Sequence, residues 1–359
     1  RLLIFTDQGR VYGLKAWETP LGSRLSRGGH IRNLLESLRE DENIVSILPV
    51  SKDLLENPAG NYLLFATKKG LIKKTKLEEY VRINRNGKYA IKLGEKTGAE
   101  GDTLVNVRAA TDSSDVVMIS STGKASRFAC SRISTTSRNT SGVWGIFTGT
   151  RETSSRKGDG GHVVGMIATE DFESEILTIS KFGMAKRSRM GTAEKLPDLD
   201  SNGVQKIDKE GNLRYYTDGY TRTSPGAMGV LTMNVKAKDQ SKFSRKLNGS
   251  EMIKDEIISV RMIPNLNDNV FLLTKKGMMI RVSADQTKQT SGKATRGTRI
   301  MELRDKSKSS YKDEIIFTAR LPAELLEEDQ FDEIDADGDG VISREEFEAA
   351  QQSNSLEEE

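Results

Sequence analysis

Five times along the chain one phrase returns: an apolar strand, a short polar turn ending in glycine, then a second strand carrying bases. It reads LLIFTDQGRVYGLK from Leu2, YLLFATKKGLIKKTK from Tyr62, VVMISSTGKASRFA from Val116, ILTISKFGMAKRSR from Ile176 and VFLLTKKGMMIRVS from Val270. The turn glycines Gly9, Gly70, Gly123, Gly183 and Gly277 are spaced by 61, 53, 60 and 94 residues. Repeats of this period signify small units that share a core. Each phrase predicts a β-hairpin, because a short Val/Ile/Leu/Phe run suits a buried strand and glycine accepts the positive φ of a tight turn.

Two further phrases complete each unit. A glycine turn and a short strand recur as RGGHIRNLL from Arg27, NGKYAIKL from Asn86, TSGVWGIF from Thr140, GAMGVLTMNV from Gly226 and ATRGTRIMEL from Ala294. An acid or glycine then leads into a last apolar strand, as in ENIVSILPV from Glu42, DTLVNVRAA from Asp102, HVVGMIAT from His162, DEIISVRMIP from Asp255 and DEIIFTARLP from Asp313. Four strands per unit, five times over, predict an all-β, propeller-like array of about five four-stranded blades, which protects its sheet edges by radial repetition. The long fourth interval carries a polar insertion near Gly191–Thr221, read as a surface loop. A composition of 35% hydrophobic and 30% charged residues suits many small, partly solvated sheets better than one large core. The lone cysteine, Cys130, excludes a disulfide framework and a thiolate metal site. No stretch approaches the about eighteen apolar residues that span a bilayer, so no membrane partner is expected. The chain opens on an arginine already entering a strand and reads as a fragment with more chain upstream.

The net charge of +3 conceals an asymmetry. Residues 323–359 hold fifteen acids and one base, Arg344, whereas residues 1–322 hold 54 bases and 37 acids. A body of +17 with a tail of −14 points to a polyanionic partner. The fourth residue past each turn glycine is Gly13, Lys74, Arg127, Arg187 or Arg281, a cation in four units of five. Around this row stand Arg10, Lys68, Lys69, Lys73, Lys76, Lys124, Lys186, Arg189, Lys275 and Lys276, and near the second phrase Arg27, Arg32, Arg85, Lys88, Arg138 and Arg296. A ring of such cations on a curved rim would neutralise successive phosphates of a bent duplex. With 6% aromatics, base-stacking platforms for single strands are not expected.

The tail carries DADGDGVISREE, which matches an EF-hand calcium loop: Asp335, Asp337 and Asp339 at positions one, three and five, Gly340 at six, and the Val341 carbonyl at seven. Ser343 stands at nine and the bidentate Glu346 at twelve, with Ile342 placed to meet a partner loop. Flanking helices are expected over Glu324–Ile334, with Leu325, Leu326, Phe331 and Ile334 as an apolar stripe, and over Arg344–Gln351 with Phe347. The expected division is therefore a β array over 1–322, a single small helical EF-hand over 323–352 and an acidic tail over 353–359. Calcium is the expected ligand.

The hairpins FTDQGRVYGLKAWETP (from Phe5), FATKKGLIKKTKLEEY (from Phe65) and SKFGMAKRS (from Ser180), with the RGGHIRNLL and TSGVWGI segments, resemble the C-terminal domain of DNA gyrase A, part of a type IIA topoisomerase, across residues 1–322. The resemblance implies a β-pinwheel whose outer basic rim wraps double-stranded DNA and presents a segment to the catalytic core for directional supercoiling. It implies as partners the gyrase A N-terminal catalytic region in cis and the gyrase B subunit, with ATP and Mg2+ used only by the full topoisomerase. The Gln-Arg-Arg-Gly-Gly-Lys-Gly box of that family is not in this chain, and the catalytic tyrosine lies outside the resemblance. Topoisomerase IV carries a related pinwheel and is the alternative within the family. A calcium-responsive interaction scaffold of propeller type is the alternative outside it, and little salt dependence of DNA binding would mark that one. The chain contains no Walker A, GxSxG or HExxH motif and is not expected to be an enzyme alone. A gyrase relative implies a bacterial cytoplasm or an organelle of bacterial descent such as a plastid, and the EF-hand leans toward the plastid.

Overall fold

Each of the five repeats folds as a hairpin in the computed structural model, which describes residues 1–20, 29–35, 37–94, 101–149, 160–235, 245–247, 251–253, 255–290, 295–303 and 313–323. The first unit contributes β1 (Leu2–Thr6), β2 (Arg10–Leu14) and β3 (Ile44–Pro49); the second contributes β4 (Tyr62–Thr67), β5 (Leu71–Lys76), β6 (Lys88–Tyr89) and β7 (Leu104–Ala110). The third supplies β8 (Asp115–Ser120), β9 (Lys124–Ala129), β10 (Val143–Trp144) and β11 (Val163–Thr169). The fourth runs from β12 (Glu175–Ser180) and β13 (Met184–Arg189) through β14 (Lys195–Pro197), β15 (Tyr215–Thr217), β16 (Val230–Leu231), β17 (Arg245–Leu247) and β18 (Glu251–Ile253) to β19 (Ile257–Ile263). The fifth holds β20 (Asn269–Thr274), β21 (Met279–Ser283), β22 (Thr298–Arg299) and β23 (Ile315–Leu321).

The sheets do not coincide with the sequence units. Their orders are β3-β1-β2-β6, β10-β5-β4-β7, β11-β8-β9-β16 and β19-β12-β13-β22, so the fourth strand of each blade is lent by the unit that follows. The expectation of four-stranded blades holds for four of them. The fifth has three described strands, β21-β20-β23. Along β21, which has no outer neighbour among the described residues, Met278, Met279 and Ile280 are exposed, whereas Leu71, Ile72 and Lys73 at the matching positions of the second unit are buried beneath β10.

The turn glycine explains how the borrowed strand is held. In the third unit the Gly123 carbonyl accepts the N–H groups of Thr232 and Met233, at 2.8 and 3.2 Å, just past β16. Gly123 has φ +84°, and any Cβ there would collide with the Met233 carbonyl oxygen. Glycine is required twice over, by conformation and by close approach.

The apolar cores lie between blades. Phe5 packs edge-on to Phe65 at 5.6 Å and both meet Tyr80, joining the first blade to the second. Equivalent clusters join each later pair, with Val116, Met118 and Phe128 against Leu64 and Ile72, and Leu177 and Ile179 against Val270 and Leu272. The inner strands β3, β7, β11, β19 and β23 contact one another in succession, which places the lent strands on the outer edge. The insertion near Gly191–Thr221 is no irregular loop: β14 pairs with β15, and isolated bridges join Leu199 to Gln205 and Ile207 to Leu213, making an ordered β arm.

Candidate nucleic-acid interface

The row of cations four residues past the turn glycine lies inside the array. Arg127 is fully buried: its Nε donates to Asp115 Oδ2 at 2.7 Å, and one terminal nitrogen donates to the carbonyls of Met190 and Tyr220 at 2.8 and 3.0 Å. Lys74 pairs with Asp112, donates to the Cys130 carbonyl at 3.3 Å and stands 4.1 Å from the centre of the Tyr62 ring. Arg187 lies 2.6 Å from Glu175 and donates to the Ala284 carbonyl at 3.3 Å. Cys130, Met190 and Ala284 each sit seven residues past their own turn glycine, in the next unit along. One rule thus repeats three times, with a cation of one unit clamping a carbonyl of its successor.

The preceding residue in each strand makes a second clamp. Lys73 Nζ donates to the Ala90 carbonyl at 2.6 Å and to that of Arg138, Ser126 Oγ to the Gly145 carbonyl at 3.2 Å, and Lys186 Nζ to the Thr232 carbonyl. Ala90, Gly145 and Thr232 each follow the strand that their unit lends to the blade before. Burial lowers the Lys73 ammonium to a pKa of about 7 and that of Lys186 to about 8. Burial also lowers Arg127, against the opposing pull of Asp115.

The expected cation rim is redrawn accordingly. Lys73, Lys74, Arg127, Lys186 and Arg187 are buried and engaged within the protein, so in this structure they offer nothing to a phosphate. An ammonium stripped of water is held where neighbouring carbonyls and carboxylates replace its hydration. Lys68, Lys76, Lys88, Arg189, Lys275, Lys276 and Arg281 are exposed, although Arg189 pairs with Glu173 at 2.6 Å and Lys275 with Glu314 at 3.4 Å. Arg281 is the fifth unit's counterpart of Lys74, Arg127 and Arg187, and it is exposed where no borrowed strand stands among the described residues. Arg10, Arg32, Lys69, Lys124 and Arg296 are half-buried; Arg10 bonds Glu42 at 3.2 Å and Arg32 the Glu40 carbonyl at 2.8 Å.

Arg27 lies outside the described residues, as do Asp335, Asp337, Asp339, Val341, Ser343 and Glu346 of the calcium loop. Sequence reasoning missed the solvent-facing Arg222 and Arg299, the latter on the lent strand β22. It also missed the exposed Trp17, with Lys15 over its ring at 5.0 Å, and Tyr89 on β6. The buried arginines had a legible signal: an acid eight residues before the turn glycine, Asp115 or Glu175, faces the arginine four residues after it.

Comparison with known proteins agrees with this architecture. The model of the DNA gyrase C-terminal domain, a β-propeller, matches residues 1–51, 61–110, 114–170 and 268–308. An EF-hand model matches residues 326–349. The DNA gyrase A protein of Deinococcus deserti is 32% identical over 307 residues, 85% of this chain and 30% of that protein. Its counterpart from Staphylococcus epidermidis is 30% identical over 305 residues, 85% of this chain and 27% of that protein. The chain therefore spans somewhat under a third of these relatives. Among solved structures, the C-terminal domain of DNA topoisomerase IV superposes with a TM-score of 0.62 at 18% identity, covering 90% of this chain and 79% of that one. The DNA gyrase A C-terminal domain does so with a TM-score of 0.58 at 19% identity, covering 89% and 82%.

Proposed function

The chain belongs to the DNA gyrase C-terminal domain family, and on that premise we propose that it binds and bends duplex DNA around its outer edge for a gyrase A-like type IIA topoisomerase. The carrying observation is the set of solvent-facing cations on four of the five blades: Lys88 on the first, Lys68 and Lys76 on the second, Arg299 on the fourth, where it also meets Glu302 at 2.6 Å, and Lys275, Lys276 and Arg281 on the fifth. Each neutralises a phosphate and releases its counterions. Together they offset the elastic cost of bending a 20–30 bp site, roughly 1–6 kcal/mol for 40–90°. The buried clamps contribute rigidity, because cations fixed on locked blades keep their spacing as the duplex curves.

The rest of the enzyme supplies the chemistry. The expected partners are the N-terminal catalytic region of the same polypeptide and the gyrase B subunit, with ATP and Mg2+ acting there. The likeness of fold to topoisomerase IV favours a second reading, a topoisomerase IV-type subunit with the same manner of DNA contact. The named sequence relatives are bacterial gyrase A proteins, which supports the gyrase reading and a bacterial cytoplasm over a plastid.

The C-terminal match supports calcium binding. Its donors are all oxygen, from Asp335, Asp337, Asp339, the Val341 carbonyl, Ser343 and Glu346, as a hard divalent cation requires. Bound calcium would cancel two charges of the tail. The tail at −14 competes with DNA for the basic body, and calcium relaxes that competition. The test is binding to a duplex of about 40 bp across a salt series, with calcium and with chelator. The logarithm of affinity should fall with that of salt by about 0.9 for each phosphate neutralised, and calcium should tighten binding. Weak binding indifferent to salt would favour the interaction scaffold instead.

A further inference from the structure

The β arm of the fourth unit lies outside the segments that match the gyrase family model, and it has an unusual closure. Asp198 N–H donates to the Arg214 carbonyl at 3.0 Å, Arg214 N–H to the Lys206 carbonyl at 2.8 Å, and Lys206 N–H to the Asp198 carbonyl at 2.8 Å. Three backbone segments eight residues apart thus bond in a ring. Between them run two like turns: Asp200 accepts the N–H groups of Asn202 and Val204, and Asp208 those of Glu210 and Asn212. The Asp198 carboxylate fastens the ring through Lys206 at 2.7 Å and Arg214 at 3.1 Å. The root is fixed as well, since Tyr220 N–H donates to the Met190 carbonyl at 3.0 Å and Thr192 N–H to Asp218 at 2.9 Å.

This ordered arm presents apolar side chains to solvent. Leu199, Ile207 and Tyr215 each follow a ring residue and are 47%, 60% and 56% exposed. Val204, Leu213 and Tyr216 are exposed beside them. A rigid element that leaves six large apolar residues uncovered marks a docking surface. Its charge tells against DNA as the occupant: residues 195–217 hold four bases and four acids, on a body whose net charge is +17.

The chain itself supplies a candidate apolar partner in its C-terminal hand. The sequence 1–359 holds one calcium loop, hands normally cover one another in pairs, and the stripe Leu325, Leu326, Phe331 and Ile334 suits packing against another apolar surface. Calcium opens sensor hands and bares such surface. The topology brings the arm's root and the chain's exit at Ala323 to one face. Leu321 pairs with Asn269 at the open end of the fifth hairpin, and Ala323 is tied there to Asp268. Arg261 donates to the Thr318 carbonyl and Arg320 to the Met262 carbonyl, so β23 runs alongside β19 in the same direction. Ile263, at the matching end of β19, pairs with Glu175, which pairs with Arg189, one residue before the arm's root. The chain's exit and the arm therefore share one face of the array, in adjacent blades. The EF-hand match begins three residues beyond Ala323, so extended chain holds it within about 10 Å of that face.

We propose that the calcium-loaded C-terminal hand, residues 326–349, docks its apolar stripe on the tip formed by Leu199, Ile207 and Tyr215. This rests on the calcium reading given above. The test uses the whole chain and its variant Leu199→Ser/Ile207→Ser/Tyr215→Ser, with calcium alone as the probe. Docking couples to calcium, so the variant should bind calcium at least about five-fold more weakly. Amide exchange read by mass spectrometry should slow over 199–216 when calcium replaces chelator, in the parent and not in the variant. Ile207→Ser alone should move both readouts in the same direction.

Equal calcium affinity with no change in exchange would overturn the docking and leave DNA wrapping and calcium binding intact. A parent that binds no calcium would overturn the docking and the calcium reading together. Protection that rises with protein concentration, with a doubled mass, would make a second copy the occupant. Protection by duplex DNA without calcium would make the arm a nucleic-acid contact.

Discussion

Arg127 shows how a residue that looks like a ligand for DNA can be part of the frame. Its charge is spent inside the protein, on Asp115 and on two carbonyls next to the root of the arm. Arg127→Met should destabilise the protein by about 3 kcal/mol in urea denaturation, near the low end for a broken buried pair because Arg222 still faces Asp115 at 3.0 Å. The salt dependence of DNA binding by the folded variant should be unchanged, which separates a clamp from a phosphate ligand. The turn glycines give a paired expectation. Gly123→Ala forces an alanine into φ +84° against the Met233 carbonyl and should cost about 3 kcal/mol. Gly277→Ala, at φ +82° with open space around it, should cost about 1 kcal/mol by the same measurement. The hairpins were legible at this scale because each glycine ends a polar turn between an apolar and a basic strand. The burial of Lys73, Lys74, Arg127, Lys186 and Arg187 was not, since alternating charge in a strand reads as a wet face until the covering strand is known.

At the scale of the elements, the borrowed strand governs both packing and pH response. Two-residue strands such as β6 and β10 carry too little pattern to announce a partner, and each pairs with the hairpin of the preceding unit. That is why the sequence predicts the count of strands per blade and not their source. The arm was hidden for a related reason: its eight-residue period is closed by backbone bonds, and its aspartates and glycines look like those of any polar loop. The same borrowed strands bury Lys73 and Lys186, whose pKa values fall to about 7 and about 8 from the ordinary 10.5. Between the folded and unfolded values the unfolded chain binds more protons, so stability rises with pH through that window. Each lysine should add about 2 kcal/mol between pH 7.5 and 9.5. Lys73→Met should flatten the rise, as read from urea midpoints at the two pH values.

For the whole molecule, the division of cations into an inner and an outer set makes a quantitative claim. Lys68→Ala/Lys76→Ala/Lys88→Ala should make the log–log salt slope of duplex binding shallower by about three, one for each phosphate left without its lysine. Thermal stability should hardly move, because these side chains are exposed. If the tail competes with DNA as proposed, truncation after residue 323 should raise DNA affinity at low salt and abolish any response to calcium, since it removes both the acidic segment and the EF-hand match. The borrowing of strands carries a consequence for how such proteins change over generations. The copied stretch of gene and the physical blade are out of step by one strand. A duplicated stretch brings in one strand to give and one edge to fill, so the series can lengthen or shorten by whole copies without stranding any interior sheet. A break made between physical blades would orphan a strand on each side. Heredity can therefore alter the length of the outer edge while leaving every internal joint as it was.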